Sequence, residues 1–118
     1  MRALVLDDDA VHRRLLLDVL NEVGFSACVA HSLEDARSHL DDHGHVFVIA
    51  DVVLADGFIT VSELRHGSTV EVVVISKYWA FEELTAGASR VLRKPYAITE
   101  LVDLLTETIG TSSTSRGV

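Results

Sequence analysis

The stretch VFVIAD, residues 46–51, decides the fold, because it is an unbroken apolar run that ends in a carboxylate. A run of this length, rich in valine and isoleucine and without polar alternation, is typical of a strand covered on both faces in a parallel sheet. Asp51 then lies at the carboxyl end of that strand. Ligand crevices in open α/β sheets form outside these ends, so the pattern predicts a functional role for Asp51.

Apolar strands followed by helical periodicity recur along the whole chain. Arg2 to Leu6 runs into Asp7-Asp8-Asp9, and Asp9 and Gly24 are placed to begin and end the helix that follows. Further strands are predicted over residues 26–30, 70–75 and 89–93, and further helices over residues 33–40, 59–65, 81–86 and 99–109. Five strand–helix units call for a parallel sheet with helices on both faces and right-handed crossovers.

The end of the chain changes character after the last predicted helix. That helix is expected to bury an apolar face made of Ile98, Leu101, Val102, Leu105 and Ile109. The residues that follow are rich in serine and threonine and have no apolar period. We therefore expect one domain over residues 1–110, followed by a flexible tail or linker stub over residues 111–118.

Composition limits the functions that are open to this chain. With 118 residues and 48% hydrophobic side chains, it can bury a core without a disulfide or a structural metal. Its net charge of -8 and its scattered lysines and arginines argue against direct nucleic-acid binding. The single cysteine, Cys28, and the lack of an apolar run near the roughly 20 residues that span a bilayer favour the cytoplasm, with no membrane contact.

Polar side chains stand where four of the predicted strands end. Asp7 and Asp8 follow the first strand, Asp51 the third, Ser76 the fourth and Lys94 the fifth. Carboxylates gathered at one edge repel one another unless a cation lies among them, and an all-oxygen site suits Mg²⁺, which favours phosphate. Asp51 is then a candidate nucleophile toward a phosphoryl group, with Lys94 and the metal neutralising charge and Ser76 donating its hydroxyl to the product.

Five short motifs, in this order and spacing, make the chain similar to the receiver domain of bacterial two-component response regulators, over about residues 2–109. They are VLDD at 5–8, VIAD at 48–51, VIS at 74–76, AGA at 86–88 and KPY at 94–96. The resemblance implies a flavodoxin-like (βα)5 fold of the α/β class, with a five-stranded parallel sheet in the order 2-1-3-4-5.

The same resemblance implies a role for each strand-end residue. Asp51 would be the phosphoacceptor, Asp8 a direct Mg²⁺ ligand, and Asp7 a ligand that acts mainly through water. The backbone carbonyl of Val53 would complete the protein's share of the metal site. Ser76 and the lysine of the KPY motif, Lys94, would contact the phosphoryl oxygens, and the Lys94–Pro95 peptide bond would be cis.

A phosphorylation-driven signalling switch is the function that the resemblance implies. A histidine kinase or histidine phosphotransfer protein would donate the phosphoryl group, and an unidentified output partner would bind the altered surface. At most, such a domain catalyses its own phosphorylation and dephosphorylation. A weak homodimer is a family habit, although a shortened fourth helix counts against it here.

The chain departs from the family pattern in several places. Ala55 stands where proline is usual, and Ile59 where glycine is common. The segment over residues 76–86 is shorter than usual, which predicts a short or partly unwound fourth helix. Val91 replaces the usual tyrosine or phenylalanine that reorients on switching, so the pair YW at 78–79 is a hypothetical substitute.

The sequence alone leaves two alternative functions possible, and it does not decide the role of His12. The short fourth helix and Val91 favour a receiver-like interaction scaffold in which phosphorylation no longer matters, whereas the intact acids oppose it. A small phosphohydrolase is disfavoured, because Val53 stands where a second acid would follow Asp51. His12 is expected on the exposed face of the first helix, either assisting the docking of a phosphodonor domain or as a plain surface residue.

Overall fold

Strands and helices alternate along the chain, of which the computed structural model describes residues 2–43, 47–55, 57–77 and 82–117. In chain order, the elements are β1 (Arg2–Leu6), α1 (Ala10–Val23), β2 (Ser26–Ala30), α2 (Leu33–His43), β3 (Phe47–Ala50), β4 (Val53–Leu54), β5 (Gly57–Phe58), α3 (Val61–Arg65), β6 (Glu71–Ser76), α4 (Glu82–Thr85), β7 (Arg90–Arg93) and α5 (Ile98–Gly117). Five strands form one parallel sheet in the order β2-β1-β3-β6-β7, and β4 pairs with β5 in a separate antiparallel hairpin. Counting only the strands of the main sheet, this is the order 2-1-3-4-5, so the predicted fold is confirmed.

The core consists of two layers, one on each face of the sheet. Because successive side chains of a strand point to opposite faces, β1 contributes Ala3 and Val5 to one layer and Leu4 and Leu6 to the other. The first layer packs against α1 and α5, and the second against α2 and α3. All four residues of β3 are buried, as expected of a strand that is covered on both faces.

Helix α1 begins and ends at the two capping residues that the sequence predicts. The Asp9 carboxylate accepts hydrogen bonds from the backbone N–H groups of Val11 (3.0 Å) and His12 (3.3 Å). Gly24 ends the helix with a φ of 108°, in the left-handed region that glycine adopts without steric cost. Since β1 ends at Leu6, this cap places the first turn of α1 directly beside the carboxyl end of the sheet.

The segment after β3 forms a hairpin before the third helix begins. Val53 pairs with Phe58 across β4 and β5, and α3 starts at Val61, later than the predicted start at Ile59. The later start has a physical cause, because Thr60 forms a capping box with Glu63 that fixes the first turn. Ile59 is instead buried in the second core layer, at 6% exposure.

The fourth helix is short, in agreement with the prediction. The four residues of α4 end before Gly87, whose φ is 89°. The hypothesis about residues 78–79 lies outside the described residues. Val91, on β7, is 49% exposed and does not contribute to either core layer.

The expectation about the buried face of the last helix is partly wrong. Leu101, Leu104 and Leu105 form its buried stripe, whereas Ile98 and Val102 are 45% and 37% exposed, because the sheet covers only one side of α5. The predicted face also included Ile109, whose side chain lies outside the described residues. The backbone of α5 runs to Gly117. The expected flexibility of residues 111–118 stays a prediction.

Shortening a buried and an exposed side chain of α5 tests this placement. We expect Leu105→Ala to lower the free energy of unfolding by about 2–5 kcal/mol, because it leaves a cavity in the first core layer. Val102→Ala is the matched control and should cost less than about 1 kcal/mol. Urea denaturation monitored by circular dichroism measures both, and equal losses would contradict the packing described for α5.

Candidate functional site

Two buried carboxylates and a partly buried lysine meet at the carboxyl end of the sheet. Asp7, Asp51 and Lys94 directly follow β1, β3 and β7, and strand alternation turns all three toward the layer that contains α1 and α5. The Lys94 Nζ atom lies 3.2 Å from Asp7 Oδ2 and 3.0 Å from Asp51 Oδ2. The two acids are only 4% and 7% exposed. The structure thus brings together three of the residues that the sequence singled out.

Backbone hydrogen bonds hold this group in place. The N–H of Asp51 donates to the carbonyl of Leu6 (2.9 Å), and the N–H of Val53 donates to Asp51 Oδ1 (2.9 Å). On the other side, the Lys94 N–H donates to the carbonyl of Ser76 (3.0 Å), and Ser76 itself is only 2% exposed. The Lys94–Pro95 bond is cis, as the resemblance implies.

Asp8 lies apart from this group. It follows Asp7 in the chain, so alternation directs it toward the opposite face, where its carboxylate accepts a hydrogen bond from the backbone N–H of Ala55. Its side chain is exposed, in contrast to those of Asp7 and Asp51. The structure therefore does not bring all three acids to one point, although it places them at the same edge.

The electrostatics of the site favour the ionised forms of Asp7 and Lys94. Burial alone would raise the pKa of Asp7, but hydrogen bonds from His12 and the backbone of Asp9, together with the Lys94 charge, hold it below its usual value. Burial would likewise lower the pKa of Lys94, yet the hydrogen bond and charge of Asp51 and the charge of Asp7 raise it. An ammonium between carboxylates is therefore the stable arrangement.

His12 is a site residue whose environment the sequence analysis predicted wrongly. Its side chain is only 11% exposed, with Nδ1 2.6 Å from Asp7 Oδ2 and Nε2 2.5 Å from the hydroxyl oxygen of Tyr96. Burial and the Asp7 charge raise the pKa of Tyr96 to about 12. A signal was available, because His12 lies one helical turn before the buried Leu16 and so shares its inward face.

The donor atoms at this edge fit a magnesium ion in their chemistry. The carboxylates of Asp7, Asp8 and Asp51 and the carbonyl of Val53 are the hard oxygen ligands that Mg²⁺ prefers. In the described parts of the chain, however, no three carboxylate, imidazole or thiol groups converge closely enough to hold a metal. The Asp8 carboxylate lies toward the opposite face of the sheet, where one of its oxygens accepts the backbone N–H of Ala55.

An open cavity of about 520 Å³ adjoins the site. It lies between the first turn of α1 and the connection from β7 to α5, and its lining includes His12, Lys94, Tyr96 and Ile98. The cavity leads from the surface to the Lys94 side chain. A small molecule can therefore reach the Lys94 ammonium from this side.

The comparisons with known proteins agree with this geometry. The family model for the response regulator receiver domain matches residues 3–106. The chain belongs to this family. No helix within the described ranges is long and apolar enough to cross a membrane.

Curated relatives of this receiver domain are longer proteins. It is 32% identical over 107 residues to the transcriptional regulatory protein CpxR of Klebsiella pneumoniae, covering 86% of this chain and 46% of CpxR. It is 31% identical over 116 residues to the sensor histidine kinase RcsC of Salmonella typhimurium, covering 92% of this chain and 12% of RcsC. The chain thus spans about half or less of the curated relatives it matches.

Solved structures support the fold of the receiver domain. A two-component response regulator from Clostridium difficile superimposes with a TM-score of 0.80 at 20% identity, covering 92% of this chain and 95% of the other. The receiver domain of sensor histidine kinase PA1611 from Pseudomonas aeruginosa, which has a magnesium ion coordinated in its active site cleft, gives a TM-score of 0.76 at 18% identity, with 92% and 97% coverage. At these identities the likeness concerns the fold.

The lowered pKa of Asp7 predicts an acid-sensitive contribution to stability. Because the folded protein holds this pKa below the usual value of 3.8, ionised Asp7 stabilises the fold above that pH. The contribution is lost as the pH falls below 3.8 and through the folded-state pKa. Urea unfolding of wild type and Asp7→Asn at a series of pH values should give a difference in free energy that shrinks under acid.

Asp18→Asn is the matched control for that measurement, because the Asp18 side chain is 60% exposed on α1. We expect its difference from wild type to stay small and nearly constant with pH. If the difference between wild type and Asp7→Asn did not change with pH, the electrostatic account of Asp7 would be wrong.

Proposed function

We propose that this receiver domain, residues 1–110, accepts a phosphoryl group on Asp51 from a phosphohistidine donor, with Mg²⁺, and thereby changes a surface that a partner binds. One observation carries the proposal: the Asp51 carboxylate lies at the carboxyl end of the sheet, 3.0 Å from the ammonium of Lys94. A nucleophilic oxygen and a fixed positive charge beside it are two of the features that phosphoryl transfer to a carboxylate uses.

The chemistry begins at an Asp51 carboxylate oxygen. One oxygen accepts the N–H of Val53 and the other accepts Lys94, which fixes the plane of the carboxylate. An Asp51 oxygen attacks phosphorus, and the new O–P bond forms as the P–N bond to the donor imidazole breaks. The imidazole retains the electron pair of that bond and takes up a proton from solvent if it leaves as the anion. Lys94 offsets the charge on the phosphoryl oxygens, and the Ser76 hydroxyl donates a hydrogen bond to one of them.

The metal would be held by Asp8 and Asp51 directly, by Asp7 mainly through water, and by the carbonyl of Val53. When bound, Mg²⁺ supplies positive charge that offsets the repulsion between the carboxylates and the incoming phosphoryl group. The proposal draws support from the oxygen-only donor set and from the magnesium ion in the Pseudomonas aeruginosa receiver domain. One oxygen of the Asp8 carboxylate accepts the Ala55 N–H, and its second oxygen is left for the metal.

The donor is proposed to be a histidine kinase or a histidine phosphotransfer protein, and the domain is proposed to act in the cytoplasm. The curated relatives include both a transcriptional regulatory protein and a sensor histidine kinase, so receiver domains of this kind occur in both classes of protein. The net charge of -8 favours a protein partner rather than nucleic acid. The partner that reads the phosphorylated form is unidentified.

Intact-mass spectrometry tests the proposed reaction. Incubation with Mg²⁺ and acetyl phosphate should add the mass of one phosphoryl group to wild type and to Asp18→Asn, and none to Asp51→Asn. Chelation of Mg²⁺ should abolish the addition. A folded wild-type protein of unchanged mass would instead favour an interaction scaffold, and steady release of phosphate from phosphomonoesters would favour a phosphohydrolase.

Neutralising Lys94 should slow the reaction strongly. We expect Lys94→Met to reduce the rate of phosphorylation by acetyl phosphate on the order of a hundredfold, since one preorganised charge at the reacting oxygens is lost. Lys77→Met is the matched control, because Lys77 is exposed and directly follows Ser76. Equal rates for the two variants, with circular dichroism confirming both folds, would contradict the role of Lys94.

A further inference from the structure

His12 joins the acid site to the connection between β7 and α5. One ring nitrogen lies 2.6 Å from Asp7 Oδ2, and the other lies 2.5 Å from the Tyr96 hydroxyl oxygen. The two rings meet edge to face, with centroids 5.6 Å apart and planes inclined by 70°. Tyr96 in turn packs against the first core layer. Both ends of the link are therefore held by the fold.

For a neutral imidazole, the chemistry of the partners gives the direction of both hydrogen bonds. A carboxylate only accepts, so Nδ1 of His12 carries the hydrogen that is donated to Asp7. In the neutral imidazole, Nε2 is then an acceptor, and the Tyr96 hydroxyl donates to it. The chain of bonds runs from the tyrosine hydroxyl through the imidazole to the carboxylate, with one orientation for each group.

Asp7 also accepts hydrogen bonds from Asp9 and Lys94. Comparing these bonds with the one from His12 shows what His12 contributes to the orientation of the carboxylate. Its Oδ1 accepts the N–H of Asp9 at 2.8 Å, and its Oδ2 accepts both His12 and Lys94. In the proposed reaction Lys94 turns to the phosphoryl oxygens, and the Asp7 Oδ2 atom then keeps His12 as its donor. The hydrogen bond from His12 therefore keeps the Asp7 carboxylate oriented after Lys94 has turned away.

We propose that His12 is a positioning residue that orients Asp7 for Mg²⁺ and transmits the state of the acid site to Tyr96. The inference rests on the proposed function, because it assigns His12 a part in that same site. Outer partners of this kind fix the orientation of metal ligands, and their loss typically weakens metal binding 10–100-fold. The test therefore needs a readout of the link itself in addition to phosphorylation.

Substitutions of His12 separate its hydrogen bond to Asp7 from its bulk. In His12→Asn the side-chain amide nitrogen occupies the region of Nδ1 and can still donate to Asp7, whereas His12→Ala removes every donor. Isothermal titration calorimetry should show Mg²⁺ binding weakened about tenfold in His12→Ala and largely restored in His12→Asn. Arg14→Gln, at a side chain 78% exposed on the same helix, should match wild type. Wild-type affinity in His12→Ala, or no recovery in His12→Asn, overturns the positioning role.

Nuclear magnetic resonance measures the link directly. In metal-free wild type, ¹⁵N shifts of the His12 ring should report the tautomer with hydrogen on Nδ1. Mg²⁺ should then shift the ring resonances of Tyr96 in wild type but not in His12→Ala. A hydrogen on Nε2, or a Tyr96 response that survives in His12→Ala, overturns the inference.

The result that would refute phosphorylation of Asp51 differs from the result that would refute the role of His12. If the wild-type mass is unchanged after treatment with acetyl phosphate and Mg²⁺, phosphorylation of Asp51 is wrong. The tautomer of the His12 ring is measured without metal or phosphodonor, and it decides the existence of the link to Asp7 in that case as well.

Discussion

The position of the Lys94 ammonium between Asp7 and Asp51 is the interaction on which the rest of the site depends. Two carboxylates at 4% and 7% exposure cannot both be charged at close range without a compensating cation. Lys94 provides that cation at 3.2 and 3.0 Å, from a strand on the far side of β6. Burial alone would raise the pKa of Asp7, but the hydrogen bonds from His12 and Asp9 and the Lys94 charge hold it below its usual value.

The backbone orients Asp51 and Lys94 in a way that it does not orient Asp8. Asp51 and Lys94 directly follow β3 and β7, and their backbone N–H groups donate to the carbonyls of Leu6 and Ser76. Asp8, in contrast, is bonded to Ala55 in the hairpin segment. This hydrogen bond connects the Asp8 carboxylate at the edge of the sheet to the segment that contains β4 and β5.

Much of the fold could be predicted because each element carries its own local signal. Unbroken apolar runs gave the strands, and Asp9 and Gly24 gave the ends of α1. The convergence of Asp7, Asp51 and Lys94 could also be predicted, because the carboxyl ends of parallel strands lie at the same edge of the sheet. By contrast, the partner of Asp8 is a backbone N–H 47 residues away in the chain, which no local pattern encodes. The inward position of His12 had a local signal in its spacing from Leu16, but its partner Tyr96 lies 84 residues away in the chain. The exposure of Val102 depended on which side of α5 the core covers.

A crystal structure of the domain with Mg²⁺ and beryllofluoride, a stable mimic of the phosphoryl group, tests the central claim most directly. The account predicts beryllium bonded to an Asp51 carboxylate oxygen, with the Lys94 ammonium turned from Asp7 toward a fluorine atom and His12 still bonded to Asp7. Beryllofluoride bound elsewhere or absent, with Lys94 unchanged between the two acids, would contradict it.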